Sequence, residues 1–190
     1  LAISSAASDV YKRQLLEQVE QFGNLKQIDP KPLNIHDVID RARRSAQLGF
    51  SAHINFKEDY DPSLPLVYGD PDQLLQVFLN LIKNASEAQP DNGNIKLRTY
   101  FEHSFKLRRA DGSGHSMPIQ VEVIDNGPGV SEDIRDEIFD PFVSGRNNGT
   151  GLGLALTSKI ISDHSGLISL DSKPGNTVFR ISLPFVTKLN

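Results

Sequence analysis

The chain has 190 residues, and its 20 basic and 24 acidic side chains give a formal net charge of −4 at pH 7. This balance argues against a dedicated nucleic-acid-binding protein, whose surface usually carries a net positive charge. The sequence contains no cysteine, which excludes disulfides, thiolate metal sites and cysteine nucleophiles and favours a cytoplasmic location. No apolar run approaches the roughly 20 residues that span a bilayer, so we expect no membrane span.

The amino terminus is predicted to begin with a non-native segment, residues 1–14. Within it, the run SSAASDVYKRQ from Ser4 to Gln14 resembles the in-frame translation of a transposon adapter used to prepare sequencing libraries. The residues that follow have the spacing of an amphipathic helix, whose apolar positions are Leu15, Leu16, Val19 and Phe22. We expect this helix to be the end of a helical domain whose earlier part lies upstream.

Residues 15–33 are therefore assigned to the end of that helical domain and a linker. The residues predicted to break the helix and form the linker are Gly23, Pro30 and Pro32. The main domain is predicted to run over residues 34–190. Asn34 has the side chain of an N-cap for a helix over 35–47, and Asp70 followed by Pro71 starts another helix over about 72–88.

The rest of the main domain alternates between strand and helix patterns. Strands are predicted at 53–56, 95–101, 119–124, 167–170 and 178–183, and a further helix over about 152–165 is predicted to end at Gly166. The polar stretch 102–118 is predicted to be a long hairpin loop. Its basic residues, Lys106, Arg108 and Arg109, leave open whether it is a solvated connection or a docking site.

Two asparagines stand out in the second of these helices. Asn is a poor helix former, yet Asn80 and Asn84 lie at i and i+4, which aims both amides at one point. They could be exposed or capping residues. They could also serve a metal, because an amide oxygen is a hard ligand suited to Mg²⁺, which shares phosphate oxygens.

Two glycine-rich segments follow. Asp125 ends an apolar strand and precedes Gly127 and Gly129; its carboxylate could accept from an exocyclic amine beside a flat ring, or the segment could be a plain Asn-Gly turn. Residues 149–154, Gly-Thr-Gly-Leu-Gly-Leu, open a helix whose amino-terminal N–H groups can meet phosphate. This spacing is neither the dinucleotide fingerprint nor a Walker loop.

The stretch between these segments has the composition of a mobile lid. Phe139 and Phe142 could be core residues and Arg146 a surface charge, but between two glycine-rich segments the aromatics could hinge on the core while Arg146 reaches a terminal phosphate. Thr177, near the start of the last strand, could reach the same ring as Asp125.

These motifs occur in a fixed order. They are Asn80-x-x-x-Asn84-Ala85, Asp125-x-Gly127-x-Gly129, Phe139-x-Pro141-Phe142, Gly149-x-Gly151-x-Gly153-Leu154 and Gly175-x-Thr177-x-Phe179. In this order they resemble the ATP-binding (HATPase) domain of histidine kinases over about residues 34–185. Three further segments are similar in sequence to the nitrogen-regulation sensor kinases of the NtrB type. They are Asp59–Pro65, Phe142–Arg146 and His164–Gly166.

The resemblance implies the Bergerat fold, a two-layer α/β sandwich in which helices cover one face of a mixed sheet. ATP would lie between the asparagine helix and the lid. Asn84 would coordinate Mg²⁺, Asn80 would support the metal and phosphate region, and Asp125 would accept from the adenine amine.

The remaining contacts with ATP are implied in the same way. Gly127 and Gly129 would shape the adenine pocket, and Thr177 would bind adenine directly or through water. Arg146 would meet the phosphates. The phosphate loop would comprise Gly149, Thr150, Gly151, Leu152, Gly153 and Leu154.

One position separates this chain from related ATPases of the gyrase, heat-shock-chaperone and mismatch-repair type. Those proteins have a water-activating glutamate four residues before the metal asparagine, where this chain has Asn80. An amide is no general base at neutral pH, so transfer of the phosphoryl group to another acceptor is favoured over hydrolysis.

The resemblance also implies partners. None of the chain's histidines has the context His-Glu-x-x-Asn/Thr-Pro of a phosphoacceptor, which we expect upstream of Leu15 on a helical domain that forms the kinase homodimer. The chain alone should then bind ATP without autophosphorylating. NtrB-type kinases act with a response regulator and a PII signal protein. A serine kinase of the anti-sigma-factor type and a non-catalytic nucleotide sensor remain as alternatives.

Overall fold

A mixed sheet of five strands carries the longer helices on one of its faces. The computed structural model describes residues 16, 19, 20, 23, 27–89, 92–108, 114–145 and 149–185. In chain order its elements are β1 (Lys31–Leu33), α1 (Ile35–Gln47), β2 (Asn55–Asp59), β3 (Val67–Gly69), α2 (Pro71–Glu87), β4 (Asn94–Phe101), β5 (Lys106–Arg108), β6 (Gly114–Ser116), β7 (Ile119–Asp125), α3 (Glu132–Arg135), α4 (Gly153–Asp163), β8 (Leu167–Lys173) and β9 (Asn176–Leu183). The sheet order is β2-β4-β7-β9-β8, with β2 parallel to β4 and all other neighbours antiparallel.

The core lies between this sheet and helices α1, α2 and α4. Alternate residues of β7 and β9 face the helices, as the period of two in a strand requires, and Val121, Val123 and Ile181 are buried there. The predicted apolar stripe of α2 is fully buried at Leu74, Val77, Phe78, Leu81, Ile82 and Ala85. Burial of each large side chain contributes about 1.5–3 kcal/mol, so the stripe fixes α2 on the sheet.

The caps of α1 and α2 lie where the sequence predicts them. The Asn34 side chain accepts from the His36 N–H at 3.0 Å, and Asp70 Oδ1 accepts from the N–H groups of Asp72 and Gln73 at 3.0 and 3.1 Å. Pro71 occupies the first turn of α2, where a missing N–H costs nothing. Each cap contributes about 1 kcal/mol and fixes where its helix begins.

Several elements differ from the sequence-based prediction, and neither β1 nor β3 was predicted as a strand. The predicted linker contains β1, which pairs antiparallel with β3. The first strand of the main sheet, β2, runs over Asn55–Asp59 instead of 53–56, because it pairs in parallel with residues 94–98 of β4. The short helix α3 was not predicted, since four residues are too few to show helical periodicity.

The amino-terminal helix is described only in part. Leu16, Val19, Glu20 and Gly23 are helical and Gln27 is not, so Gly23 itself still belongs to the helix that it was predicted to break. An isolated glycine costs a helix about 1 kcal/mol relative to alanine, which weakens a helix without ending it. The segment 1–14 lies outside the described residues.

The long connection after β4 does contain the predicted hairpin. Strands β5 and β6 pair antiparallel with Lys106 opposite Ser116. Arg109 lies outside the described residues. In the part of the chain that the structure describes, no helix combines the length and apolar character needed to cross a membrane.

The end of α4 is fixed to the start of α2 by a buried histidine. His164, 5% exposed, donates from Nδ1 to the Ile160 carbonyl at 2.7 Å and accepts at Nε2 from the Asp70 N–H at 2.9 Å. Gly166 was predicted to end this helix, but the residue with positive φ is Ser165, at 56°. Gly166 instead allows close packing, because a Cβ there would lie 2.8 Å from the Ser182 carbonyl oxygen.

Candidate functional site

A buried carboxylate marks one end of the central strand. Asp125 is the last residue of β7 and only 4% exposed, and its Oδ1 accepts from the Gly127 N–H at 2.8 Å. It lies in the wall of a cleft of about 940 Å³. The Asn-Gly turn after it is therefore more than a simple connection, since the turn holds the carboxylate at the cleft.

Thr177 lies directly beside Asp125. Residues 125 and 177 are paired in the antiparallel ladder of β7 and β9, so their side chains stand on the same face of the sheet. Thr177 is also 4% exposed and lines the same cleft. An acceptor-only carboxylate and a hydroxyl thus stand side by side, as the sequence predicted.

The carboxyl-terminal half of α2 forms the opposite wall. Asn80 and Asn84 are half-buried and line the cleft, so neither is an exposed or capping residue. Asn80 Nδ2 donates to the Gly153 carbonyl at 3.4 Å, which connects α2 to the first residue of α4. The two predicted asparagines therefore face the glycine-rich segment across the cleft.

The loop after β7 is held by the turn between β8 and β9. The Gly175 N–H donates to the Gly127 carbonyl at 2.8 Å. Gly129 has φ +87° and lines the cleft, and a Cβ there would come within 3.1 Å of the Lys173 carbonyl carbon. Glycine is required at 129 for both reasons. Gly127 supplies backbone to this loop but does not itself line the cleft.

The second glycine-rich segment closes the cleft above α4. Gly149, Thr150, Gly151, Gly153 and Leu154 all line it. Leu152 does not, because its side chain is 2% exposed in the core. Gly151 has φ +67°, and its carbonyl accepts from the Phe142 N–H at 3.0 Å, which joins the two ends of the predicted lid.

The lid aromatics divide between core and solvent. Phe139 packs edge-on against Phe179, with ring centroids 6.4 Å apart, as the hinge interpretation requires. Phe142 is 69% exposed and has φ +69°, so it does not pack on the core. Arg146 lies outside the described residues.

Sequence reasoning missed several residues of this cleft. Lys83 and Glu87 of α2 line it, with the Lys83 ammonium 3.8 Å from the Glu87 carboxylate. These residues lie one position before and three positions after Asn84 on the same helix, and this spacing could have indicated that they lie near it. Apolar side chains complete the wall, and they are Val130, Ile134, Ile138 and Val143. They could not be read from the sequence, because their shared surface depends on how α3 and the lid fold back.

The donor set fits Mg²⁺ better than a metal held by protein alone. Among the described residues, no three His, Cys, Asp or Glu side chains are grouped to hold a metal. Mg²⁺ usually takes one or two protein oxygens and fills its other positions with water and substrate phosphate. The amide oxygens of Asn80 and Asn84 in a cleft with a glycine-rich helix start meet that description.

Comparison with known proteins decides the family. Residues 69–187 match the family described as Histidine kinase-, DNA gyrase B-, and HSP90-like ATPase. The chain belongs to this ATPase family. The sensory histidine kinase/phosphatase NtrB of Rhodobacter capsulatus is 64% identical over 174 residues, which cover 92% of this chain and 49% of that protein. NtrB of Azospirillum brasilense is 47% identical over 90% of this chain and 43% of its own length.

A solved structure supports the same family. The catalytic domain of the histidine kinase ThkA matches this ATPase domain with a TM-score of 0.68 at 28% identity, over 82% of this chain and 95% of that one. The prediction of a histidine-kinase ATP-binding domain of the NtrB type is confirmed, as is the predicted sandwich with a mixed sheet. The chain spans a little under half the length of these two NtrB relatives.

Proposed function

We propose that this ATPase-family domain binds Mg²⁺ and ATP and presents the γ-phosphoryl group to a histidine on a separate helical domain of its own kinase. The observation that carries the proposal is the buried Asp125 carboxylate, 4% exposed, facing a cleft of about 940 Å³. The opposite wall of that cleft holds two asparagines and a glycine-rich helix start.

The main residues of the cleft then have defined tasks. Asp125 accepts from the exocyclic amine of adenine, Thr177 contacts the same ring, and the loop with Gly129 leaves room for it. The phosphates lie toward the start of α4, where backbone N–H groups and the helix dipole favour anions. Asn84 holds Mg²⁺, which supplies charge neutralisation at the phosphates, and Asn80 fixes the distance between α2 and Gly153. Arg146 is proposed to contact the phosphates as well.

The transfer itself needs an acceptor from outside the cleft. A neutral imidazole nitrogen attacks the γ-phosphorus, a P–N bond forms, and the bond from that phosphorus to the bridging oxygen breaks, so ADP leaves and the imidazole proton passes to solvent. Positioning and charge neutralisation dominate this chemistry. Asn80 offers no base to activate water, which favours transfer over hydrolysis.

The partners follow from the same reading. The phosphoacceptor helical domain would form the homodimer, a response regulator would receive the phosphoryl group, and a PII signal protein would regulate a kinase of nitrogen control. The relatives are sensory histidine kinases/phosphatases, which favours this proposal over a serine kinase. A cytoplasmic location stays a prediction, and so does the division of the chain into residues 1–14, 15–33 and 34–190.

The first experiment is a titration of the chain with ATP and with GTP, with and without Mg²⁺. We expect ATP affinity in the micromolar to millimolar range, about −8 to −4 kcal/mol. Asp125→Asn should weaken ATP binding about tenfold or more, because a hydrogen bond to a charged acceptor contributes about 1.5–3 kcal/mol. Asn keeps an oxygen for the Gly127 N–H, so the variant should fold.

The matched control is Asp171→Asn, which changes an exposed carboxylate on β8 outside the cleft. It should leave ATP affinity unchanged. A folded Asp125→Asn chain with unchanged affinity would contradict the assigned role of Asp125. A second arm supplies the helical phosphoacceptor domain of the Rhodobacter capsulatus relative in trans and expects acid-labile, base-stable phosphate on it; acid-stable phosphate would indicate a serine kinase instead.

A further inference from the structure

Ser172 lies next to the two polar residues at the base of the cleft. In the hairpin of β8 and β9, residue 172 is paired with Thr177, which is paired with Asp125 on its other side. The three side chains therefore form one row on the same face of the sheet. Ser172 is 6% exposed and does not line the cleft itself.

One hydrogen bond of Ser172 has a fixed direction, and the other joins two hydroxyl groups, either of which could be the donor. Its Oγ accepts from the Val130 N–H at 2.9 Å, and it lies 3.3 Å from Thr177 Oγ1. A hydroxyl that accepts from an N–H still has its own proton to donate, and the Thr177 oxygen is the partner within reach. A chain of donors then runs from the Val130 N–H through Ser172 to Thr177, and each bond polarises the next.

The direction of the hydrogen bond between Ser172 and Thr177 determines whether Thr177 presents a donor or an acceptor to the cleft. If its oxygen accepts from Ser172, its hydroxyl proton points away from Ser172 and toward the cleft that Thr177 lines. Thr177 then donates where Asp125, beside it, accepts. Adenine carries an amine donor next to a ring-nitrogen acceptor, whereas guanine carries a carbonyl acceptor next to an N–H donor. The pair Asp125 and Thr177 matches adenine and opposes guanine.

We propose that Ser172 is a positioning residue that fixes Thr177 as a hydrogen-bond donor and thereby sets the preference for adenine over guanine. The inference rests on the proposed function, because it concerns how the same cleft recognises its nucleotide. Ser172 does not line the cleft, so it acts through Thr177.

The test measures the ratio of ATP to GTP affinity in the full chain. Ser172→Ala should lower this ratio about three- to tenfold, the range expected from losing one oriented neutral hydrogen bond. Ser172→Thr keeps the hydroxyl and should keep the ratio. Ser182→Ala is the matched control: Ser182 is 2% exposed and its hydroxyl donates to Gln120 Oε1 at 2.8 Å, away from the cleft. It should not change the ratio.

A double-mutant cycle separates positioning from general stability. Thr177→Val should lower the ratio as Ser172→Ala does, and the double variant should resemble Thr177→Val alone, since Ser172 acts through Thr177. Additive losses would overturn the proposal, as would a Ser172→Ala chain that loses ATP and GTP affinity in the same proportion. Thr177→Val with an unchanged ratio would overturn it even if Ser172→Ala did not fold.

The proposed function fails in a distinguishable way. If the unmodified chain binds neither nucleotide, the nucleotide site is wrong and this inference falls with it. If the unmodified chain prefers ATP and the preference survives Ser172→Ala in a folded chain, only the role of Ser172 is wrong.

Discussion

Lys83 is a single cation on the wall of the cleft formed by α2, between the two asparagines. A nucleoside triphosphate brings several negative charges, and the Lys83 ammonium, 3.8 Å from the Glu87 carboxylate, is the cation of α2 nearest to hand for them. Its side chain is 49% exposed, so water and salt screen the attraction. We expect Lys83 to contribute modestly to phosphate affinity and nothing to recognition of the base.

Lys83→Gln should therefore weaken ATP binding about two- to fivefold, the scale of an exposed ion pair, and leave adenosine binding unchanged. Isothermal titration at low and at high salt measures both, and the loss should shrink as salt rises. Lys159→Gln is the control, because Lys159 is 45% exposed, pairs with Asp163 four residues later, and lies outside the cleft. Equal losses from both substitutions would contradict a local role for Lys83.

His36 connects three parts of the chain away from the cleft. Its Nε2 lies 2.9 Å from Thr99 Oγ1 on β4, and its ring stacks on Tyr60 with centroids 4.9 Å apart. Burial lowers the pKa of His36 below its ordinary value of 6.5, while the nearby carboxylates of Asp40, Asp37 and Asp61 partly oppose that shift. The folded protein thus disfavours the charged ring.

The sign of the resulting pH dependence follows from linkage. Below pH 6.5 the unfolded chain protonates His36 before the folded chain does, so the stability contributed by the neutral ring is lost as pH falls. The urea midpoint should drop more between pH 7 and pH 5 in the unmodified chain than in His36→Gln. His103→Gln, which changes an exposed histidine, should keep the unmodified pH dependence. A parallel drop in all three chains would show that His36 does not carry it.

For single residues, the sequence predicts which side chains have functional chemistry better than it predicts which side chains they contact. Asp125 and the two asparagines were singled out because Asp is uncommon in strands and Asn is uncommon in helix interiors. Ser172 was missed although the two residues Pro174 and Gly175 between β8 and β9 could have given its register opposite Thr177. Lys83 was missed because a lysine on a polar helix face is usually only solvated.

At the scale of the element, the lid is defined by a contact at its base. The Phe142 N–H donates to the Gly151 carbonyl at 3.0 Å, and both residues have positive φ. A Cβ at 151 would lie 2.4 Å from the Phe142 carbonyl carbon, which no side-chain adjustment relieves because the clash is with backbone. At Gly153, two residues later, a Cβ would meet no atom within 4 Å.

Alanine at these two glycines should therefore have opposite effects on stability. Gly151→Ala should lower the free energy of unfolding by about 1–3 kcal/mol through strain and clash. Gly153→Ala lies at the start of α4 and should change it by no more than about 1 kcal/mol, toward greater stability, because alanine favours the helix. Chemical denaturation of the two variants measures the difference. Equal destabilisation would mean that the base of the lid is not held as described.

Elements could be predicted where a periodic pattern extends over many residues. The prediction failed where a short strand pairs with a segment far away in the sequence. The stripe and cap of α2 gave its bounds almost to the residue. Strand β1 has only three residues, and its central residue Pro32 pairs with Tyr68 of β3, 36 positions later in the chain. The composition of such short segments does not predict that they pair. The order of the five strands was not predicted, because strand patterns do not state which strands pair.

At the scale of the whole molecule, the site lies at one end of the sheet and the core at its centre. Antiparallel pairing brings the end of β7 beside the start of β9, and the carboxyl-terminal part of α2 lies across from them. Among the described residues, the buried hydrophobic cluster is built from residues 35–183. The residues just before the core do contribute contacts.

Those contacts join the approach segment to the start of α2. The Asp29 N–H donates to Asp70 Oδ2 at 3.1 Å, β1 pairs with β3, and Leu33 packs against the core. Loss of one apolar side chain and a short ladder should cost about 1–3 kcal/mol. For a chain of this size, each kcal/mol lowers the melting temperature by about 2–4 °C.

Three truncations separate the predicted adapter from the folded domain. A chain that begins at Leu15 should keep the melting temperature and ATP affinity of the full chain, because residues 1–14 are predicted to be foreign. A chain that begins at Gln27 retains β1 and should keep them too. A chain that begins at Asn34 loses β1 and should melt about 2–12 °C lower, while keeping the Asn34 cap of α1. If removal of residues 1–14 alone produced that drop, the adapter assignment would be wrong, since a foreign segment has no reason to stabilise this core.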